Sequence, residues 1–194
     1  MDKTVRVKMV KALEKELNYK RFIHTMGVAY TATALAMRYG ADVDKAEMAG
    51  LLHDCAKCKS IDSMQSICRK AGASVSNAEK NNPALLHSKA GAILARTDYE
   101  IEDNEILSAI MWHTTGKPDM SLLDKIVFIS DYIEPTRCTA PRLPEMREAA
   151  FRDIDEALIM ILEDTLSYLK STGCDIDLMT EETYEYYINK KRLE

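Results

Sequence analysis

The sequence predicts an all-α fold, and three observations carry that prediction. Glycine (7) and proline (5) are scarce and no Asn-Gly or Asp-Gly pair occurs, so the turn chemistry of β-hairpins is missing. Apolar residues recur at three- and four-residue intervals, the spacing of one helix face rather than the alternation of a strand. Helix-starting residues stand ahead of several of these stripes, and glycines stand behind them.

Taken in order, Met9, Val10, Leu13 and Leu17 form the first amphipathic stripe. A second helix is expected from Tyr19 to Tyr39, stopped by Gly40. Asp44 with Glu47 reads as a capping box for a third, which carries Met48, Leu51 and Leu52 and runs into His53-Asp54. Ser60 caps a short helix that ends by Gly72, and Pro83 suits the first turn of a helix holding Leu86, His87, Ala90 and Leu94. Ile106, Leu107, Ile110, Met111 and His113 mark another, closed by Gly116. Ser121, with Asp124 three residues on, starts a helix through Asp131 that Pro135 ends. Pro144 opens one long helical stretch up to Gly173, and a last helix follows Thr180.

The 194 residues fit one domain, 1–194, with no internal repeat, low-complexity tract or linker to divide them. An apolar fraction of 46% with 29% charged residues is that of a soluble globular chain. No apolar run approaches the roughly 18 residues that span a bilayer, and the charged start MDKTVRVKMVKALEKEL is unlike a signal peptide. The expectation is a cytoplasmic protein with no membrane partner. Five irregularly spaced cysteines argue against a disulfide framework. Cys55-x-x-Cys58 has no second such pair to complete a zinc site and no βαβ setting for a redox role. A net charge of −5 without a basic block excludes a general nucleic-acid binder. A polyanionic ligand would need a local cluster and a metal.

The chain holds four histidines, His24, His53, His87 and His113, each on a different expected helix beside small or apolar neighbours. One such residue is most often a satisfied core histidine. Four on four helices point to a metal, because helical domains build ion sites from ligands aimed inward from separate helices. Residues 53 and 54 face about 100° apart in mid-helix but can converge at a helix end. Asp131 follows Ile126-Val127-Phe128-Ile129-Ser130, where a carboxylate needs a cation to offset its desolvation.

A histidine, a His-Asp doublet and a later aspartate form the pattern of the HD-domain superfamily. The chain resembles the HD-domain phosphohydrolases of the bacterial YqeK family across Arg21-Phe22-Ile23-His24-Thr25-Met26-Gly27-Val28, His53-Asp54-Cys55-Ala56-Lys57, Leu86-His87, His113-Thr114-Thr115-Gly116 and Asp131-Tyr132-Ile133-Glu134-Pro135-Thr136-Arg137. The resemblance implies a helical HD domain that binds iron and hydrolyses diadenosine tetraphosphate symmetrically to two ADP. It makes His24, His53, Asp54 and Asp131 the metal ligands. It also sets Arg21, Lys57, His87, His113, Tyr132 and Arg137 facing the substrate, with Asp54, Lys57, His87 and His113 in catalysis. Residues 173–179 would close over a nucleotide.

The residues fit that chemistry on their own terms. A metal neutralises phosphate oxygens and makes hydroxide available near neutral pH. Two histidines and two aspartates suit iron, and equally manganese, cobalt or zinc. Arg21 shares a helix face with His24, Lys57 lies a turn beyond His53, and Arg137 offers a fork of donors to phosphate. His87 and His113 either ligate a second metal bridged by Asp54, donate to phosphate, or protonate the leaving ADP. The resemblance favours phosphate contacts around one iron. Alternative readings are an HD nucleotidase or phosphodiesterase acting on other nucleotides, and a non-catalytic nucleotide-binding regulator. Tyr184, Tyr186 and Tyr187 are expected to pack helices, and the apolar helix surfaces are compatible with a homodimer.

Overall fold

A computed structural model describes residues 3–193 and contains α-helices, one 3₁₀ turn and, among those residues, no strand. The helices are α1 (Lys3–Glu16), α2 (Tyr19–Tyr39), α3 (Val43–Leu52), α4 (Ile61–Lys70), α5 (Asn77–Asn81), α6 (Leu86–Thr97), α7 (Asn104–Trp112), α8 (Leu122–Ile133), α9 (Leu143–Arg152), α10 (Ile154–Thr172) and α11 (Leu178–Leu193). The all-α expectation holds. Among the described residues no helix is long and apolar enough to cross a membrane.

Local chemistry sets most of the helix ends. Asn18 accepts from the Arg21 N–H at 2.9 Å and starts α2, which Gly40 ends in the left-handed conformation at φ 70°. Ser60 caps α4, and the reciprocal Ser121–Asp124 box caps α8. Gly173, at φ 67°, ends α10.

Four expectations need correction. The cap of α3 is Asp42, which accepts from the Lys45 N–H at 3.0 Å. Asp44 falls in the first turn, where a carboxylate suits the helix dipole, and Glu47 instead pairs with Arg6 of α1. Pro83 opens a 3₁₀ turn, Pro83–Leu85, ahead of α6. The stretch from Pro144 to Gly173 is two helices. Asp153 is extended at φ −144° and caps α10 through the Asp155 and Glu156 N–H groups at 3.0 and 3.1 Å. α11 begins at Leu178, so Thr180 lies within it.

The short helix α3 sits at the centre, packed on α2, α6, α7 and α8. Ala46, Ala49, Leu51 and Leu52 are fully buried there. A Cβ on Gly50 would stand 2.8 Å from the Ala29 Cα, so only glycine lets α2 and α3 cross this closely. Leu35, Leu86, Ile110, Ile126 and Leu158 fill the surrounding core. Tyr187 is buried and its hydroxyl accepts from the Met120 N–H at 2.9 Å, while the Tyr186 hydroxyl donates to Asp119 at 3.2 Å. Tyr187 thus serves packing, as the sequence suggests, whereas Tyr186 is exposed.

Asp155 joins three helices, since its carboxylate meets Lys125 of α8 and Lys190 of α11. Burial disfavours its charge, but the two lysines outweigh burial and hold the carboxyl below its usual value. A depressed carboxyl stabilises the fold above its unfolded pKa, and that stabilisation fades as pH falls through the folded value. Asp155→Asn is therefore expected to cost up to about 1 kcal/mol at neutral pH. Urea melts of variant and parent should draw together below the ordinary carboxylate range; a gap that persists there would reject the account.

Candidate metal centre

His53 and Asp54 occupy the end of α3, which is the centre of the bundle. Beyond Leu52 the backbone tightens into turns in which Cys55 N–H donates to Leu52 O (3.1 Å) and Lys57 N–H to Asp54 O (2.9 Å). Both side chains then face one point. His24 reaches it from α2, Asp131 from the last turn of α8, His87 from the start of α6 and His113 from the end of α7. The six side chains form one cluster.

Its core is buried: His53 is fully inaccessible, and Asp54, His87 and His113 are 2–3% exposed. His24 Nε2 stands 2.9 Å from Asp131 Oδ1 and 3.8 Å from Asp54 Oδ2. His53 Nε2 stands 3.4 Å from Asp54 Oδ2 and 3.9 Å from Asp131 Oδ1. The other Asp54 oxygen faces the remaining pair, 3.3 Å from His87 Nε2 and 3.7 Å from His113 Nε2. Those two nitrogens are 3.1 Å apart.

The second nitrogen of each ring explains what the first can do. His53, His87 and His113 place Nδ1 at 2.7, 2.6 and 2.7 Å from the Gly50, Ala84 and Ile110 carbonyls. A carbonyl only accepts, so each Nδ1 carries a hydrogen, and the neutral ring then has its lone pair on Nε2. His24 Nδ1 donates instead to the Glu134 carboxylate at 3.0 Å. Four imidazole lone pairs thus point into one space with two carboxylates. Buried Nε2 atoms of His24 and His53 have no hydrogen-bond partner.

That is the test of fit for a metal, and the residues pass it. Ligand atoms each about 2.1 Å from one ion stand roughly 3–4 Å from one another, the range seen here. His24, His53 and Asp131 form one group able to hold an ion, and His53, Asp54 and His113 form a second that overlaps it.

The surrounding charges set the protonation states. Burial opposes the Asp54 charge, but His53 and His113 hold its carboxyl well below the usual range. Asp131 is likewise lowered against burial by its contact with His24 and the field of His53. Burial, with His113 and Lys57 nearby, pushes His87 down to about 3. It is neutral at pH 7 and offers a lone pair rather than a proton. Burial disfavours the His24 imidazolium, yet Asp131 and Glu134 outweigh it and raise its pKa. Protons and metal ions therefore compete for Nε2.

Three cations line the cluster. Arg21 donates to Asp54 Oδ2 at 2.6 Å, Arg137 to Asp131 Oδ1 at 2.9 Å, and Lys57 Nζ is 3.1 Å from His87 Nε2. Burial lowers the Lys57 pKa, partly offset by Asp54. Tyr132, next to Asp131 in the chain, is half-buried against the core, its hydroxyl raised by burial and by Asp164. Cys55 and Cys58 are free thiols, and burial pushes Cys55 up to about 12.

Sequence reading missed three supporting residues. Thr114 Oγ1 lies 3.2 Å from His87 Nε2 and 3.3 Å from His113 Nε2. Arg147 of α9 donates to the Ile133, Glu134 and Arg137 carbonyls, each at 2.9 Å, and so fixes the end of α8 that presents Asp131 and Arg137. Glu134 is fully buried and holds His24. Thr114 and Glu134 both stand inside motif segments, which was the available signal; nothing local marks Arg147.

The comparisons agree with this geometry. The HD domain family model matches residues 21–136, more than half of the chain, opening on Arg21 and including His24, His53, Asp54 and Asp131. A protein of Halalkalibacterium halodurans named bis(5'-nucleosyl)-tetraphosphatase, symmetrical, is 37% identical over 96% of this chain and 99% of its own length. One of the same name from Bacillus subtilis is 36% identical over 91% of this chain and 94% of its own. A crystal structure from Clostridium acetobutylicum, described as a predicted HD superfamily hydrolase involved in NAD metabolism, superposes with a TM-score of 0.92 at 39% identity, covering 95% of this chain and 97% of that one. On the family model, on identity along nearly the whole chain and on shared architecture, this chain belongs to the HD-domain family.

Proposed function

We propose that the chain is a symmetrical bis(5'-nucleosyl)-tetraphosphatase, cleaving diadenosine tetraphosphate with water between the second and third phosphates to give two ADP. The observation that supports a metal most directly is the His24–Asp131 contact, 2.9 Å between a buried Nε2 that makes no hydrogen bond and a carboxylate oxygen held by Arg137. Two ligands drawn to one ion stand this way. The substrate rests on the likeness to the two named relatives over more than nine-tenths of the chain.

In this reading His24, His53, Asp54 and Asp131 hold iron, for which manganese, cobalt or zinc can substitute in a mixed nitrogen and oxygen site. The ion when bound supplies Lewis acidity toward phosphate and lowers the pKa of water. The protein supplies the rest. Arg21, Lys57 and Arg137 ring the cluster with positive charge, so a polyphosphate can approach a protein of net charge −5. Arg21 and Arg137 each use part of a five-donor fork on a ligand carboxylate, which leaves other donors for phosphate oxygens. A cavity of about 250 Å³ is walled by Leu85, Ser88, Trp112, Thr115, Asp177 and Met179. Its walls include neighbours of His87 and His113 in the chain and part of the 173–179 stretch, though none of the six cluster side chains, and its size suits a nucleoside.

A second reading concerns metal number. With Nδ1–H of His87 and His113 committed to the Ala84 and Ile110 carbonyls, their Nε2 atoms and the nearby Asp54 oxygen would suit a further ion better than hydrogen bonds to phosphate. Two assays test both points. Incubation with diadenosine tetraphosphate and ferrous or manganous ion should release ADP alone; ATP with AMP would refute symmetrical cleavage. Elemental analysis of the metal-loaded protein should give two ions per chain if the histidine pair ligates. One ion returns His87 and His113 to phosphate contacts.

A further inference from the structure

We infer that Glu134 is a positioning residue that fixes the tautomer of His24, and that it must be a carboxylate to do so. The inference deepens the proposed metal site and rests on that reading. His53 and His113 sit at helix C-termini, where main-chain carbonyls are free of helix bonds, and His87 opens α6 just behind the 3₁₀ turn that supplies the Ala84 carbonyl. Each uses the carbonyl three residues back to hold Nδ1–H. His24 lies inside α2, where the preceding carbonyls serve the helix itself. It needs an acceptor from elsewhere, and Glu134 arrives from a position 110 residues away.

Three donors define the Glu134 carboxylate. Oε1 accepts from His24 Nδ1 at 3.0 Å and from the Thr136 hydroxyl, and Oε2 accepts from the Thr136 N–H at 2.7 Å. Gly27, one turn beyond His24 on α2, makes the room, because a Cβ there would fall on the Glu134 carboxylate. Such an acceptor-only group holds the hydrogen on Nδ1 and so reserves Nε2, which faces Asp131 at 2.9 Å, for an ion.

Glutamine has nearly the same shape and the opposite consequence. Its NH₂ cannot face the Thr136 N–H, since two donors would meet. The amide therefore turns its NH₂ toward the Thr136 hydroxyl, which can rotate to accept, and toward His24 Nδ1, which must then be the lone pair. The hydrogen moves to Nε2, the atom that should bind metal. Alanine imposes no tautomer, because water can serve Nδ1 in either form. The isosteric change should accordingly harm metal binding more than the truncation.

The experiment compares parent, Glu134→Gln and Glu134→Ala, each with its helical circular dichroism checked. Nitrogen-15 spectra of labelled histidines in the metal-free proteins report the His24 tautomer at a pH where imidazole is neutral. Chelator competition with manganous ion reports affinity. The parent should show Nδ1–H and Glu134→Gln should show Nε2–H, with affinity lowered on the order of 10- to 100-fold and by less in Glu134→Ala. Nδ1–H retained in Glu134→Gln, or affinity within twofold of the parent, would overturn the inference. Equal losses in both variants would also overturn it, as a merely structural effect. A parent that binds no metal would instead refute the proposed site, whatever its tautomer.

Discussion

Asp54→Ala is expected to abolish turnover and strip the metal while leaving the helices in place. Asp54 is the shared member of the cluster: one oxygen faces His24, His53 and Arg21, and the other faces His87 and His113. Loss of an outer partner of a ligand costs about 10- to 100-fold in affinity or activity. Loss of a ligand that serves both groups should exceed the upper end of that range. The fold is spared because, among the described residues, the hydrogen-bond partner of this carboxylate is the Arg21 guanidinium rather than a main-chain group. Turnover, metal content and circular dichroism of the same preparation decide the matter. Activity within tenfold of the parent, or metal retained, would sink the assignment.

The largest expected stability effect lies on the other side of the bundle. Leu158 of α10 is fully buried where that helix packs on α8 and α9. Leu158→Ala removes three carbons and leaves a cavity the helices cannot close, at a cost of about 2–5 kcal/mol. For a chain of this size the midpoint of thermal unfolding should fall by about 5–15 °C. Manganous affinity below the transition should stay close to that of the parent, because no ligand sits on α10. A shift under 2 °C, less than about one kcal/mol would give, would mean that the core collapses around the gap.

Fold and site differ in how far the sequence reveals them. Helix ends were legible where one deciding contact spans three or four residues without a rival: Gly40 and Gly173 as left-handed stops, Ser60 as a cap, Ser121 with Asp124 as a reciprocal box. The misplaced starts had rivals nearby. Asp42 and Asp44 can both cap, and the chain leaves extended geometry at the earlier one. Asp153 with Glu156 three residues on marks the break before α10, a signal outweighed in the sequence by unbroken helical spacing. The family resemblance named the histidines, Asp54 and Asp131.

By itself, then, the amino-acid sequence determined a helical chain with four histidines on four helices, because periodicity and capping are local properties of the backbone. Only the tertiary structure decided how those histidines are used. The close crossing at Gly50 brings the His24 and His53 rings to 5.4 Å, and packing of α6 and α7 on α3 sets His87 and His113 against the second Asp54 oxygen. Which ring nitrogen bears the hydrogen is set by carbonyls at helix ends and, for His24, by a carboxylate 110 residues away. Lone pairs converge on one point only when separate helices are packed, and no local pattern encodes that convergence.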